Sequence, residues 1–178
     1  GGSFDVSLSK FDPSGGYVWG SYVGGTGVDQ PHSMVTNHLG DLLFMGKTSS
    51  TNYPVTAGCF DPTFNGGTDF VVTRLSGDGA TLLASTYVGG SSPDAENMTT
   101  AYMASSIKYN YGDDARGEIV VDADGEIYVA GCTQSPNFPA TPGAYRTMNS
   151  GLQDGCVFKL SLDMSTMIWA TYLGGSGQ

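Results

Sequence analysis

Short runs of apolar residues separated by glycine-containing turns make up most of the chain. In 70–72, 119–121 and 127–130, apolar side chains occupy both alternating sets of positions. Because successive side chains of a β-strand point to opposite faces, these runs predict strands that are covered on both sides. The turns between runs, such as 12–15 and 76–79, are short and contain glycine, which is typical of β-hairpins. The pattern predicts an all-β protein.

One motif occurs three times and sets the length of a repeat. It consists of Ser or Thr, then Tyr, then Val or Leu, then two glycines, and its tyrosines are Tyr22, Tyr87 and Tyr172. The first interval is therefore 65 residues and the second 85. Aligning the segments between the motifs assigns the difference to an insertion of 20 residues within 91–116. Such self-similarity predicts units that bury their apolar faces by stacking on copies of themselves.

Each full repeat contains four predicted strands. The first pair lies in 33–45 and again in 118–130, and the second pair runs from Asp69 or Asp154 to the next tyrosine motif. A repeated, four-stranded antiparallel sheet that is buried on both faces is typical of a β-propeller blade. A β-sandwich of tandem hairpins is the alternative, but a sandwich does not need a sequence repeat. The pattern favours an all-β, β-propeller fold with four-stranded antiparallel blades.

The order of the predicted strands divides the chain into parts of one propeller domain. Residues 1–25 are the outer half of one blade, 26–90 a complete blade, and 91–178 a complete blade that carries the insertion in 91–116. A propeller ring closes with about four to eight blades. About two and a half blades therefore predict an internal fragment of a larger ring.

Several motifs in fixed order resemble the bacterial SBBP-type β-propeller repeat. They are the hairpin 117–131, the loop 137–145, and the step from Phe158-Lys-Leu to the glycine pair in 158–175. The first copy departs from the repeat at 37–40, where the Asp-x-Asp-Gly turn is absent, and at 59–60, where Cys-Phe replaces Ala-Tyr. The resemblance covers nearly the whole chain except about 91–116 and implies the propeller fold.

The resemblance also implies a class of function. Proteins of this family are mostly large secreted or surface-attached bacterial proteins, some of them exported by type IX secretion with roles in gliding motility and adhesion. We therefore expect a noncatalytic, extracellular or cell-surface scaffold that binds protein or glycan partners, or a structural part of a surface or secretion assembly. The alternative is an enzyme whose central-channel active site is completed by blades absent from this chain, since propellers host many chemistries.

The longer connections of the predicted blades are the expected place for binding. Residues 48–68, 133–153 and the insertion should emerge on the face opposite the short turns. The insertion is rich in tyrosine and methionine, which are enriched at partner-contacting surfaces. Packing of these side chains back on the blade as a local lid is the alternative. The predicted partner-binding residues are Met98, Tyr102, Met103, Ile107, Tyr109 and Tyr111.

The composition argues against a nucleic acid partner and against insertion into a membrane. The net charge is −10, with 7 Lys and Arg against 17 Asp and Glu, so a nucleic acid partner is not expected. No stretch approaches the ~18 apolar residues of a membrane helix, so membrane insertion is not expected either. No convergent acid, base or metal set stands out, and we expect neither catalysis nor a cofactor.

Two further sites have a structural and a functional interpretation. Cys132 ends one predicted strand and Cys156 begins the next, so a Cys132–Cys156 disulfide is expected if the protein is secreted. The stretch from Asp122 to Glu126 faintly resembles a calcium loop, but Thr133 stands where the distal Glu should be. An Asp-Gly hairpin turn explains that stretch without metal.

Other recurrent or reactive residues have a structural interpretation. Lys10, Arg74 and Lys159 recur in register, which predicts a repeated structural contact. The Asn-aromatic-Pro triplets 52–54 and 137–139 recur in the long connections and predict packing against the blade. Cys59, His32 and His38 have no companion residues of a catalytic or metal site.

Overall fold

Ten strands in three antiparallel sheets make up the part of the chain that the computed structural model describes, residues 1–97 and 117–176. The strands are β1 Val6–Phe11, β2 Tyr17–Val23, β3 Asp29–Thr36, β4 Leu42–Thr48, β5 Asp69–Leu75, β6 Leu82–Val88, β7 Gly117–Val121, β8 Ile127–Thr133, β9 Asp154–Leu160 and β10 Met167–Leu173. Sheet 1 is β1–β2, sheet 2 is β3–β4–β5–β6, and sheet 3 is β7–β8–β9–β10. Among the described residues no helix is long and apolar enough to cross a membrane.

Each sheet is a meander in which sequential strands pair. Short turns join β1–β2, β3–β4, β5–β6, β7–β8 and β9–β10 at one end of the sheets. Gly15, Gly40, Gly79 and Gly125 occupy these turns with φ between 70° and 88°, where a side chain is disfavoured. The turn between β9 and β10 has Met164 instead, with φ 55°. Met164 is fully buried in the apolar core, and this burial offsets the unfavourable backbone.

Sheet 2 is buried on both of its faces. One face presents Phe70 and Val72 to sheet 3, and the other presents Val71, with Phe44 of β4, to Val6 of sheet 1. All these side chains are 0% exposed. The prediction that 70–72 forms a strand covered on both sides is confirmed.

The same prediction is wrong for one face of sheet 3. Ile119 and Val129 are buried against sheet 2, whereas Val120 is 53% exposed and Ala130 is also exposed. Alternation along the strand places Val120 and Ala130 on the opposite face. No sheet of the described chain covers that face, so its apolar side chains contact solvent.

An aromatic cluster fills the space between sheets 2 and 3. Phe158 packs edge-to-face on Phe70 with ring centroids 5.4 Å apart, and Phe138 lies 5.9 Å from Phe158. Phe138 and its counterpart Tyr53, from the two Asn-aromatic-Pro triplets, are each 3% exposed. These loop residues therefore pack against the sheets, as their recurrence predicted.

The register of β8 and β9 opposes the expected Cys132–Cys156 disulfide. Gly131 lies opposite Cys156, and Cys132 lies opposite Gly155. Because neighbouring residues alternate between faces, the two cysteine side chains leave opposite faces of sheet 3. Their sulfurs are not bonded to each other, and a bond would require the backbone to move. The expected disulfide overlooked this alternation and does not fit the strand register.

The recurrent basic residues make the predicted structural contact in both four-stranded sheets. Arg74 Nε donates to Asp41 Oδ2 at 2.9 Å, and Lys159 forms an ion pair with Glu126. The Arg74 guanidinium lowers the pKa of the Asp41 carboxyl. Lys10 of sheet 1 instead reaches the Gly77 carbonyl at 3.4 Å. Each contact ties a strand to a short turn.

Candidate functional site

The long connections emerge together at the end of the sheets opposite the short turns, because antiparallel strands place alternate connections at opposite ends. Side chains link the connections to each other. Asn52 Oδ1 accepts from the Thr26 amide at 2.8 Å, and in the next repeat Asn137 Oδ1 accepts from the Ser91 amide at 2.9 Å. The long-connection face is thus a hydrogen-bonded surface rather than a set of independent loops.

The six predicted partner-binding residues lie outside the described residues. They are Met98, Tyr102, Met103, Ile107, Tyr109 and Tyr111. The segment that leads into them is anchored to both four-stranded sheets. Glu96 accepts from Lys47 Nζ of β4 at 3.1 Å, and Asn97 Oδ1 lies 3.2 Å from Gln153 Nε2, just before β9. Residues 96 and 97 therefore lie against the sheets at the long-connection face.

Two aspartates meet beneath the long-connection face in each of the first two repeats. Asp69 begins β5, and Asp94 follows the glycine pair that ends the tyrosine motif. A Cβ placed on Gly89 would overlap Asp69 Oδ1 and lie 2.9 Å from Asp94 Oδ2. Asp5 and Asp29 take the same positions around Gly24, at 2.5 and 2.8 Å. The carboxylates thus approach each other across the motif glycine.

Hydrogen-bond donors surround one aspartate of each pair. Asp94 accepts from the Gly90 amide at 2.7 Å, from Ser135 Oγ at 2.8 Å and from the Thr133 hydroxyl. Asp29 has the same three kinds of donor in sheet 2, namely one amide, one serine and one threonine. These bonds fasten the connection that follows each motif to the end of the second strand of the next sheet.

In the other aspartate of the Asp69–Asp94 pair, one carboxylate oxygen has no hydrogen-bond partner. Asp69 Oδ2 accepts from the Asn65 amide at 2.7 Å, but Asp69 Oδ1 is buried with no hydrogen-bond partner. Asp154 repeats this arrangement, with Oδ2 bound by the Ser150 amide and Oδ1 unpartnered. Burial and the neighbouring Asp94 charge raise the pKa of Asp69 to about 7. Burial also raises the pKa of Asp94.

We expect Gly89→Ala to lower the free energy of unfolding by about 1–3 kcal/mol, the usual cost of overpacking. The added methyl group would meet both carboxylates, and Gly89 does not have a positive φ, so the cost is steric. Gly175→Ala is the matched control, because nothing lies within 4 Å of a Cβ at that position. Urea unfolding of the two variants measures the difference. Equal stabilities would contradict the described packing of the acid pair.

A lysine pairs with two acidic residues of the hairpin that resembles a calcium loop. Asp122 Oδ1 accepts from the amides of Asp124 and Glu126 at 3.0 and 2.9 Å, as a turn requires. Lys159 Nζ lies 3.6 Å from Asp122 Oδ2 and also pairs with Glu126. Among the described residues, no three His, Cys, Asp or Glu side chains gather in a metal-binding arrangement. The hairpin interpretation accounts for these residues.

Sequence reasoning missed the acid pairs and one exposed apolar group. The signal for the pairs was present, because Asp5, Asp69 and Asp154 recur in register. The exposed group lies in the β8–β9 connection, where 144–150 line a shallow hollow. Its large exposed side chains are Tyr145, Met148 and Leu152.

Comparison with known proteins adds no relative. A scan against protein-family models gave no match, and a search of curated proteins found none that is similar to this chain.

Proposed function

We propose that the chain forms consecutive blades of a β-propeller, the noncatalytic scaffold of a secreted or cell-surface bacterial protein that binds protein or glycan partners. The observation that carries the proposal is the stacking of repeated sheets in one direction, with all long connections leaving the strands at the same end. The SBBP-like motifs support the extracellular setting. Adhesion, gliding motility and secretion are the roles that fit such a scaffold.

The direction of the stack supports a ring. Val6 and Leu8 of sheet 1 are equivalent by repeat to Phe70 and Val72 of sheet 2. The first pair packs on sheet 2 and the second on sheet 3, so the same face always meets the following sheet. A β-sandwich of two sheets buries only one face of each, whereas every propeller blade packs between two neighbours.

Exposed apolar side chains occur at positions that the middle sheet buries. Phe60 packs against the core between sheets 2 and 3, and its amide donates to the Met164 carbonyl at 2.7 Å. Its repeat equivalent, Tyr145, is 84% exposed. Likewise Leu173 is exposed and its equivalent Val88 is buried. A further blade against sheet 3 would cover Tyr145 and Leu173 as sheet 3 covers their counterparts.

The long-connection face is the proposed binding surface. The segment that leads into the insertion lies on it, and it exposes Met148 and Leu152 beside the hollow in the β8–β9 connection. Loops held on a rigid scaffold commonly carry binding. The hydrogen bonds of Asn52 and Asn137 hold this face in a fixed shape, which lowers the entropic cost of contact.

We expect alanine substitution of Tyr102, Tyr109 and Tyr111 together to weaken partner binding at least about tenfold, or ~1.4 kcal/mol. Binding is measured on a glycan array and against purified bacterial surface proteins. The control replaces Phe11 and Tyr17, which are exposed aromatic residues beside a short turn at the opposite end. Equal loss in both variants, or no loss in either, would contradict the proposed binding surface.

A further inference from the structure

We propose that Asp69 and Asp94 share one proton at neutral pH and form a pH-sensitive link between sheets 2 and 3. Asp69 belongs to sheet 2, while Asp94 pairs with Thr133 of sheet 3 in an isolated β-bridge. The two carboxylates therefore join neighbouring sheets directly. Asp94 itself lies within 91–116, the range that carries the insertion.

The geometry requires a positive charge or a proton between the two acids. Both side chains are fully buried, and they converge on the space beside Gly89. Neither has a Lys, Arg or His partner among the described residues. Two like charges that converge in a buried site repel strongly, and one proton removes the repulsion.

The hydrogen-bond donors decide which carboxyl holds the proton. Asp94 already accepts three bonds, from Gly90, Thr133 and Ser135, all of which favour its charged form. Asp69 Oδ1 accepts none. A proton on Asp69 Oδ1 supplies the missing bond by donating toward the Asp94 carboxylate. The proton therefore resides on Asp69, and the charge on Asp94.

The surrounding titratable groups do not neutralise the pair. Asp61 faces Asp69 from the β4–β5 connection, and its charge further raises the pKa of Asp69. Tyr87 faces Asp69 from β6, and burial raises the pKa of Tyr87 to about 12, so it is neutral. Tyr172 and Cys156 of sheet 3 face Asp94, and burial raises their pKa values as well.

The ammonium group of Lys47 in β4 is engaged elsewhere. Lys47 Nζ pairs with Glu96 at 3.1 Å, and Glu96 also lies 3.3 Å from Thr68 Oγ1. The Thr68 hydroxyl in turn donates to the Asp94 carbonyl, not to its carboxylate. Lys47 therefore neutralises Glu96, and it does not neutralise Asp69 or Asp94.

The proton makes this link weaken as the pH rises. An unfolded aspartate has an ordinary pKa of 3.8, whereas the pKa of Asp69 in the folded protein is about 7. Between these values the folded state holds a proton that the unfolded state has released, so the stability falls with rising pH. Above about pH 7 the stabilisation from the proton is lost and two buried charges face each other.

Thermal unfolding of Asp69→Asn, between about pH 5 and about pH 8.5, tests the proposal. The asparagine amide imitates the protonated acid, because it donates where Asp69 Oδ1–H would donate. We expect the melting temperature of Asp69→Asn minus that of the wild type to rise with pH. Asp124→Asn is the matched control, since it is the same substitution in an exposed turn. The control difference should not change with pH.

Asp94→Asn and divalent cations separate a shared proton from other causes. Asp94→Asn should lower the melting temperature at every pH, because it loses an acceptor that three donors use. All these melts are run with EDTA and repeated with calcium chloride. A pH-independent difference for Asp69→Asn would overturn the proposal. The proposal would also be overturned if calcium raised the melting temperature of the wild type but not that of Asp69→Asn, because a metal ion would then occupy the site.

Discussion

Phe158→Ala is expected to lower the free energy of unfolding by about 3–5 kcal/mol, the usual cost of removing a buried phenylalanine. Phe158 is fully buried in the core between sheets 2 and 3. It contacts Phe70 and Phe138, with centroid distances of 5.4 and 5.9 Å. Truncation removes these contacts and leaves a cavity that backbone pairing prevents from closing. Denaturant unfolding followed by circular dichroism measures the loss.

Phe4→Ala is the control for this substitution. Phe4 is the same residue type, but its side chain is 66% exposed. Its truncation should change the free energy of unfolding by less than about 0.5 kcal/mol. Similar losses in the two variants would show that Phe158 is not enclosed between two sheets.

Tyr87→Phe should lower the free energy of unfolding by about 1–3 kcal/mol for each buried group left without its hydrogen bond. The Tyr87 hydroxyl bonds two such groups. The Tyr87 hydroxyl donates to the Ser50 carbonyl at 2.7 Å and accepts from the Tyr53 amide at 2.8 Å. The ring stays in place, so the change removes hydrogen bonds and no apolar contact. The loss is again measured by denaturant unfolding.

Tyr22→Phe provides a control within the same repeated motif. Tyr22 is 77% exposed, whereas Tyr87 is 1% exposed. Tyr172→Phe should behave like Tyr87→Phe and lower the free energy of unfolding. The Tyr172 hydroxyl donates to the Ser135 carbonyl at 2.7 Å, and this bond is lost. A loss for Tyr87 and Tyr172 but not for Tyr22 is the expected order. A comparable loss at Tyr22 would indicate that the motif acts locally and not through the long connections.

The sheets could be predicted from the sequence because local signals define them. The tyrosine motif and the short glycine turns mark where each strand ends, and apolar side chains at both parities of 70–72 indicate burial on two faces. The exposure of Val120 could not be predicted, because burial of that face depends on a neighbouring sheet and not on the strand itself. The Cys132–Cys156 pairing failed for a related reason. Proximity along paired strands does not establish that two side chains share a face.

The acid pairs were hidden by distance along the chain. Asp69 and Asp94 are far apart in sequence and meet only because a strand and its following connection fold back across Gly89. Asp5 and Asp69 recur in register with Asp154, but this recurrence does not show which residue each of them meets. From the sequence, Gly89 is expected to be part of a turn, whereas in the structure it leaves room for two carboxylates.

A cryo-EM or crystal structure of the intact protein tests the proposed propeller most directly. The proposal predicts a closed ring in which another four-stranded sheet covers Val120 and Leu173, while the long connections share one face. Tyr145 should then be partly buried, as Phe60 is. A two-sheet sandwich, or a sheet 3 whose outer face remains in solvent, would contradict the propeller.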